Sequence, residues 1–207
     1  MTNGLLGKKL GMTQVFDEQG RLIPVTVIEA GPCRVSQVRT RERHGYDAVQ
    51  LAFGEVAEKK LSKAESGHLK KQDLPGSKYL REFQQTGDVQ IGQVVKADVF
   101  QKGDWVDVIG VSKGKGFQGV IKRHHYNGGP ETHGSMFHRA PGSIGSSAYP
   151  SHVWKNKTLP GHMGSERVTV QRLRVVEARP DENLLLISGA VPGATGGLVA
   201  VRKSKKA

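Results

Sequence analysis

Carboxylates all but vanish from the middle of this chain: from Val111 to Ser165, 55 residues, the sequence holds one, Glu131. Serine hydrolysis needs a base oriented by an acid, and metal sites draw on carboxylate or thiolate. Glu131 cannot fill every such role, and no G-x-S-x-G elbow surrounds Ser135, Ser143, Ser146 or Ser147. Cysteine is scarce as well. Cys33 stands alone among 207 residues, which excludes an intramolecular disulfide and a cysteine-rich zinc site. A reducing compartment fits, with Cys33 as a small buried residue opening a strand. No apolar run approaches the roughly 18–20 residues of a membrane span, and Leu5-Leu6 gives way to Lys8-Lys9 before a signal-peptide core can form. The amphipathic helix or lipidation signal of a basic membrane-surface binder is missing too. These absences predict a soluble cytoplasmic protein with no membrane partner, no small-molecule substrate and no cofactor.

What the middle stretch has is positive charge. It carries Lys113, Lys115, Lys122, Arg123, Arg139, Lys155 and Lys157, so seven bases less one acid give +6, half of the whole chain's +12. It also holds six of the eight histidines (His124, His125, His133, His138, His152, His162), and Pro130, Pro141, Pro150 and Pro160. Proline lacks the amide donor that helix interiors and central strands need, so no long regular element covers the region. Ordering a backbone costs about 1–2 kcal/mol per residue, and too few apolar side chains are present to offset it by self-burial. A basic segment that cannot build its own core requires a polyanion, and phosphate backbone suits it best.

Outside this stretch the pattern is of short strands. Arg21 to Glu29, Arg34 to Thr40 and Tyr46 to Phe53 read as a meander with hairpin connections. Further strands are expected over Val94 to Phe100, Trp105 to Val111, Val168 to Glu177 and Asn183 to Ser188. Many short strands with turn residues between them predict a mainly β fold, a closed or nearly closed barrel. One short helix is expected at about 58–72, where Leu61, Ala64, His68 and Leu69 fall near helical spacing. Arg202 to Lys206 reads as a basic tail. Strand pattern stops at Val111 and resumes at Val168, so the expected organisation is a barrel of 1–111 and 168–207 with a long loop, 112–167, inserted between two strands.

Gly114-Lys-Gly-Phe-Gln-Gly119 matches G-x-G-x-x-G, but the helix and distant acid that a dinucleotide fold requires do not follow. Small residues there let backbone amides approach phosphates, with Lys113 and Lys115 adding charge. The histidines lack metal-ligand spacing; His124, His125, His133, His138 and His162 are candidates to stack on bases or donate to phosphate and ribose, with internal packing as the alternative. Phe117, Tyr126, Phe137, Tyr149 and Trp154 interleave with the bases, as stacking platforms or as clamps of the loop on itself. Lys8 and Lys9, flanked by Gly7 and Gly11, are either a solvated turn or phosphate contacts. Arg167 completes the candidate set.

Several blocks resemble a known family. Gly4-Leu-Leu-Gly-Lys-Lys-Leu-Gly-Met-Thr-Gln-Val-Phe16 is similar to the N-terminus of the universal large-subunit ribosomal protein number three in its bacterial form. Val25-Thr-Val-Ile-Glu-Ala-Gly-Pro-Cys33, Val108-Ile-Gly-Val-Ser-Lys-Gly-Lys-Gly-Phe-Gln-Gly119, His138-Arg-Ala-Pro-Gly-Ser-Ile-Gly145, Leu159-Pro-Gly-His-Met-Gly-Ser-Glu-Arg-Val-Thr-Val170 and Pro192-Gly-Ala-Thr-Gly196 resemble later blocks of the same family, in order. The resemblance implies a barrel like the second domain of translation factors and binding to 23S rRNA near its 3′ region early in assembly. It also implies large-subunit proteins fourteen and nineteen as neighbours. The loop is then expected to reach towards the peptidyl transferase centre, with its tip at Gly145, Ser146, Ser147, Ala148, Tyr149 and Pro150. Many bacterial members carry a methylated glutamine at that tip; this chain has none there, and the modification is not carried over. A structural role without catalysis is the expectation, and a non-ribosomal RNA-binding assembly factor is the rival.

Overall fold

The computed structural model describes residues 2–206. Strand β1 (Gly4–Phe16) and β2 (Leu22–Ala30) form a long antiparallel hairpin. Its turn is held by the Asp17 carboxylate, which accepts from the amides of Gln19 and Arg21. The chain then builds a separate four-stranded sheet from β3 (Cys33–Arg39), β4 (Ala48–Glu55), β5 (Ser77–Gln84) and β6 (Val94–Val95), in the order β5-β4-β3-β6. It returns through β7 (Trp105–Val111), passes through the short ribbon of β8 (Gly116–Gln118) and β9 (Gly161–Met163), and ends with β10 (Arg167–Arg179), β11 (Leu184–Ser188) and β12 (Leu198–Lys203). Six strands close into a barrel in the order β1-β12-β7-β10-β11-β2. Every neighbouring pair is antiparallel. Closure removes the free edges that would otherwise template aggregation.

The apolar residues that alternate along these strands meet in one core. Leu5, Leu6, Ile28, Val106, Val108, Leu185, Ile187 and Val201 are fully buried from the barrel, and Val35, Val49 and Leu51 join them from the second sheet. Truncating one such leucine or isoleucine to alanine costs about 2–5 kcal/mol. Barrel curvature presses β1 against its neighbours, and a Cβ at Gly7 would lie 2.6 Å from the Glu29 carbonyl oxygen. Glycine is required there for close approach.

Several expectations are corrected. Arg21 to Phe53 is not one meander: β2 pairs with β1 and β11, and the chain changes sheets at Gly31 (φ 82°) and Pro32. The strand expected over Val94 to Phe100 is two residues long, followed by a 3-10 turn at Ala97–Val99. Val95, Ala97 and Phe100 are buried all the same, so a turn satisfies the apolar spacing that resembled a strand. The basic tail begins inside the barrel, where Arg202 and Lys203 belong to β12 and pair with Asp107 and Val106. Strands β1 and β5 were not anticipated.

Helices are few. α1 (Arg41–His44) is a single turn; α2 (Lys63–Lys70) lies within the expected span, after a 3-10 turn at Glu58–Lys60. Ser62 and Glu65 form a reciprocal capping box, and Leu69 is the buried residue of α2. Among the described residues no helix is long and apolar enough to cross a membrane. The chain divides into two compact units: one runs up to Val111 and resumes at Arg167, the other is Ser112–Glu166.

Candidate nucleic-acid interface

The unit Ser112–Glu166 ties its own two ends together. β8 and β9 pair Gly116 with Met163, Phe117 with His162 and Gln118 with Gly161. The Ser112 amide donates to the Glu166 carbonyl at 2.8 Å, and the Lys115 amide to the Met163 carbonyl at 2.9 Å. Helix α3 (Val120–His124) is one turn that ends at His125 with φ 60°. Its Val120 is the only buried residue among the described residues of this unit. Arg123 Nη1 donates to the Leu159 carbonyl at 2.7 Å and His124 Nε2 to the same oxygen at 3.2 Å, while the Tyr126 hydroxyl meets Thr158. A carbonyl only accepts, so His124 carries its proton on Nε2.

Beyond that clamp, residues 125–160 contain neither helix nor strand. The stretch is shaped by local bonds instead. The Gly129 amide donates to the His138 carbonyl at 2.8 Å, and His138 Nδ1 to the Pro130 carbonyl at 3.1 Å. Phe137 packs where a side chain on Gly129 would sit. His152 Nδ1 donates to the Pro150 carbonyl at 2.8 Å, with its ring 5.3 Å from that of Trp154. Five non-glycine residues in this unit (His125, His133, Ser151, Asn156, Ser165) have left-handed backbones. Such conformations cost of order 1–3 kcal/mol each and persist where surroundings enforce them. One buried valine supplies little enforcement, which points to a partner that supplies the rest.

Charge points the same way. Lys113, Lys115, Lys122, Arg139, Lys155 and Lys157 are exposed and Arg123 is half-buried. Among the described residues none of the seven forms an ion pair; every ion pair present involves a base elsewhere in the chain. Phe117, Tyr149 and Trp154 are 76%, 87% and 61% exposed, as platforms for stacking would be, whereas Tyr126 and Phe137 act as internal clamps. At the expected tip Gly145, Ser146, Ser147, Ala148 and Tyr149 are exposed and Pro150 is half-buried.

The histidines divide. Rings of His124, His138 and His162 (Nε2 to the Gly164 carbonyl, 3.0 Å) are each held by a backbone oxygen. His125 and His133 are exposed and form no hydrogen bond among the described residues. No three His, Cys, Asp or Glu side chains gather into a metal-binding group among the described residues.

In the barrel unit, Arg167 opens β10 and is exposed, as is Lys8 on β1. Lys9 corrects the sequence reading. It lies in a strand, not a turn, is 8% exposed, and its ammonium donates to the carbonyls of Val191 at 2.9 Å and Gly193 at 3.2 Å. A lysine committed to two carbonyls is a structural strut, and it leaves the set of phosphate contacts. Sequence reasoning did not find the Leu159 carbonyl that gathers Arg123 and His124, because a backbone acceptor carries no residue-type signal.

Comparisons with known proteins agree with one another. The family model for ribosomal protein L3 matches residues 52–180. The large ribosomal subunit protein uL3 of Brachyspira hyodysenteriae is 54% identical over 209 residues, covering 98% of this chain and 96% of its own length. The protein of the same name from Brachyspira pilosicoli is 53% identical over 205 residues, covering 98% and 94%.

Proposed function

The chain belongs to the ribosomal protein L3 family and is a structural component of the large ribosomal subunit, not an enzyme; on that premise we propose that its unit Ser112–Glu166 is a 23S rRNA clasp. Membership also places the protein with the cytoplasmic ribosome. The observation that carries the clasp is the pairing of seven bases, none in an ion pair, with a unit that buries one residue. Lys113, Lys115, Lys122, Arg139, Lys155 and Lys157 neutralise phosphates, and displaced counterions make the binding strongly salt-dependent. Phe117, Tyr149 and Trp154 offer rings to unpaired bases, and His125 and His133 offer donors to phosphate or ribose. Arg123, His124, Tyr126 and His138 act one step back, by holding the backbone in the shape that RNA completes.

In this reading the barrel docks near the 3′ region of 23S rRNA early in assembly, beside large-subunit proteins fourteen and nineteen. The tip, Gly145 to Pro150, extends towards the peptidyl transferase centre. Ordering the unit against RNA couples its folding to subunit maturation. Sedimentation of large subunits through a high-salt wash tests the integral role. The protein is expected to remain with the subunit; its release at moderate salt would make it an assembly factor instead.

A further inference from the structure

A second basic surface lies within the barrel unit, and no part of it belongs to Ser112–Glu166. Asn3, β5, the end of β7 and β12 enclose a groove of about 550 Å³, within the range of pockets that hold small organic groups. Its floor is apolar, formed by Ile109, Gly110, Leu198 and Ala200, and its rim carries Arg81, Arg167, Arg202 and Lys205. The one rim carboxylate, Glu82, is already engaged, ion-paired with Arg39 at 2.7 Å and accepting from the Tyr46 hydroxyl at 2.8 Å. Arg202 is steadied from beneath by the buried Asp107 at 3.4 Å, yet its Nε has no hydrogen-bond partner among the described residues. Arg81, Arg167 and Lys205 form no ion pair among the described residues. Four cations around an apolar floor, with the only nearby anion occupied, leave a strongly positive trough.

We propose that this groove is a second RNA-binding site, in which Arg81, Arg167, Arg202 and Lys205 hold consecutive phosphates of one strand and the apolar floor receives a ribose or base. The inference rests on the reading of the protein as a 23S rRNA binder and assigns the barrel its own share of that contact. Three arginines suit the role, since a guanidinium fork meets phosphate oxygens two at a time. Their scatter through positions 81, 167 and 202, with Lys205 beyond, explains why no basic run in the sequence marks the site.

Directed hydroxyl-radical cleavage tests the proposal in reconstituted large subunits, with iron–EDTA tethered to a cysteine introduced by Lys205→Cys or, in the other unit, by Lys155→Cys. Cys33 is fully buried and does not compete for the label. The expected result is cleavage of a discrete stretch of 23S rRNA from position 205, distinct from the stretch cleaved from 155. Cleavage from 155 alone overturns the groove and leaves the clasp standing. Cleavage from neither defeats both readings, and a footprint on a neighbouring protein in place of RNA overturns the groove. Independently, Arg81→Glu with Lys205→Glu should lower the slope of log affinity for 23S rRNA against log salt by about 1.4, at roughly 0.7 per lost contact. An unchanged slope in that folded variant contradicts the proposal.

Discussion

Replacing Lys113, Lys115, Lys122, Arg139, Lys155 and Lys157 by glutamine removes six exposed charges, none of them ion-paired among the described residues. Arg123 is left in place because its guanidinium holds the Leu159 carbonyl. Each phosphate contact contributes roughly 0.7–0.9 to the slope of log affinity against log salt, so six contribute about 4–5. Between 50 and 200 mM salt, those six contacts account for a loss of roughly 300- to 2,000-fold. Filter binding to 23S rRNA across that range should therefore show a far shallower salt dependence in the variant. Folding should survive, since exposed substitutions of this kind stay within about ±0.5 kcal/mol each. A matched variant at Lys59, Lys60, Lys63, Lys70, Lys71 and Lys96, all exposed in or near α2 and β6, should keep the steep slope. A fall of less than about 1 in the loop variant, or an equal fall in the matched one, would refute the assignment of phosphate contacts to this unit.

Lys8 and Lys9 stand side by side in sequence but should separate in experiment. Lys9→Met abandons two carbonyls and should cost about 1.5–3 kcal/mol in urea unfolding, whereas Lys8→Met should leave stability within about 0.5 kcal/mol; equal effects contradict the strut. Burial pushes the Cys33 thiol up to about 12, against a weaker opposing pull from its hydrogen bond to the Leu6 carbonyl. The native protein should thus resist a thiol reagent at pH 8 and react once unfolded, because the thiolate is the nucleophile; rapid native labelling counts against this burial. Deleting 142–151 should not shift the melting of the barrel, whose core includes no residue of 112–166. A lowered melting temperature would show that the unit supports the barrel.

The barrel was partly legible in sequence. Strands such as β7 and β11 announce themselves, because valine, isoleucine and leucine dominate them and neighbouring residues break the pattern. β1 was hidden because the barrel's tight packing demands Gly4 and Gly7, residues that otherwise mark turns. β12 was hidden because Arg202 and Lys203 make its end look like a tail. Strand partners were illegible, since alternation says which face is buried and not against what; hence the second sheet was folded into a supposed meander. In the candidate interface, charge, proline and the lack of apolar residues are compositional and were plain from the start. Which bases and histidines face outward was not, because Arg123, His124 and His138 are held by backbone carbonyls that no sequence pattern reports.

The central claim is that Ser112–Glu166 is shaped by, and shapes, ribosomal RNA. Chemical footprinting of 23S rRNA in subunits carrying either the full chain or the 142–151 deletion tests it most directly. The account predicts that the deletion removes a set of protections near the peptidyl transferase centre and leaves those due to the barrel intact. Identical footprints from the two proteins would contradict it.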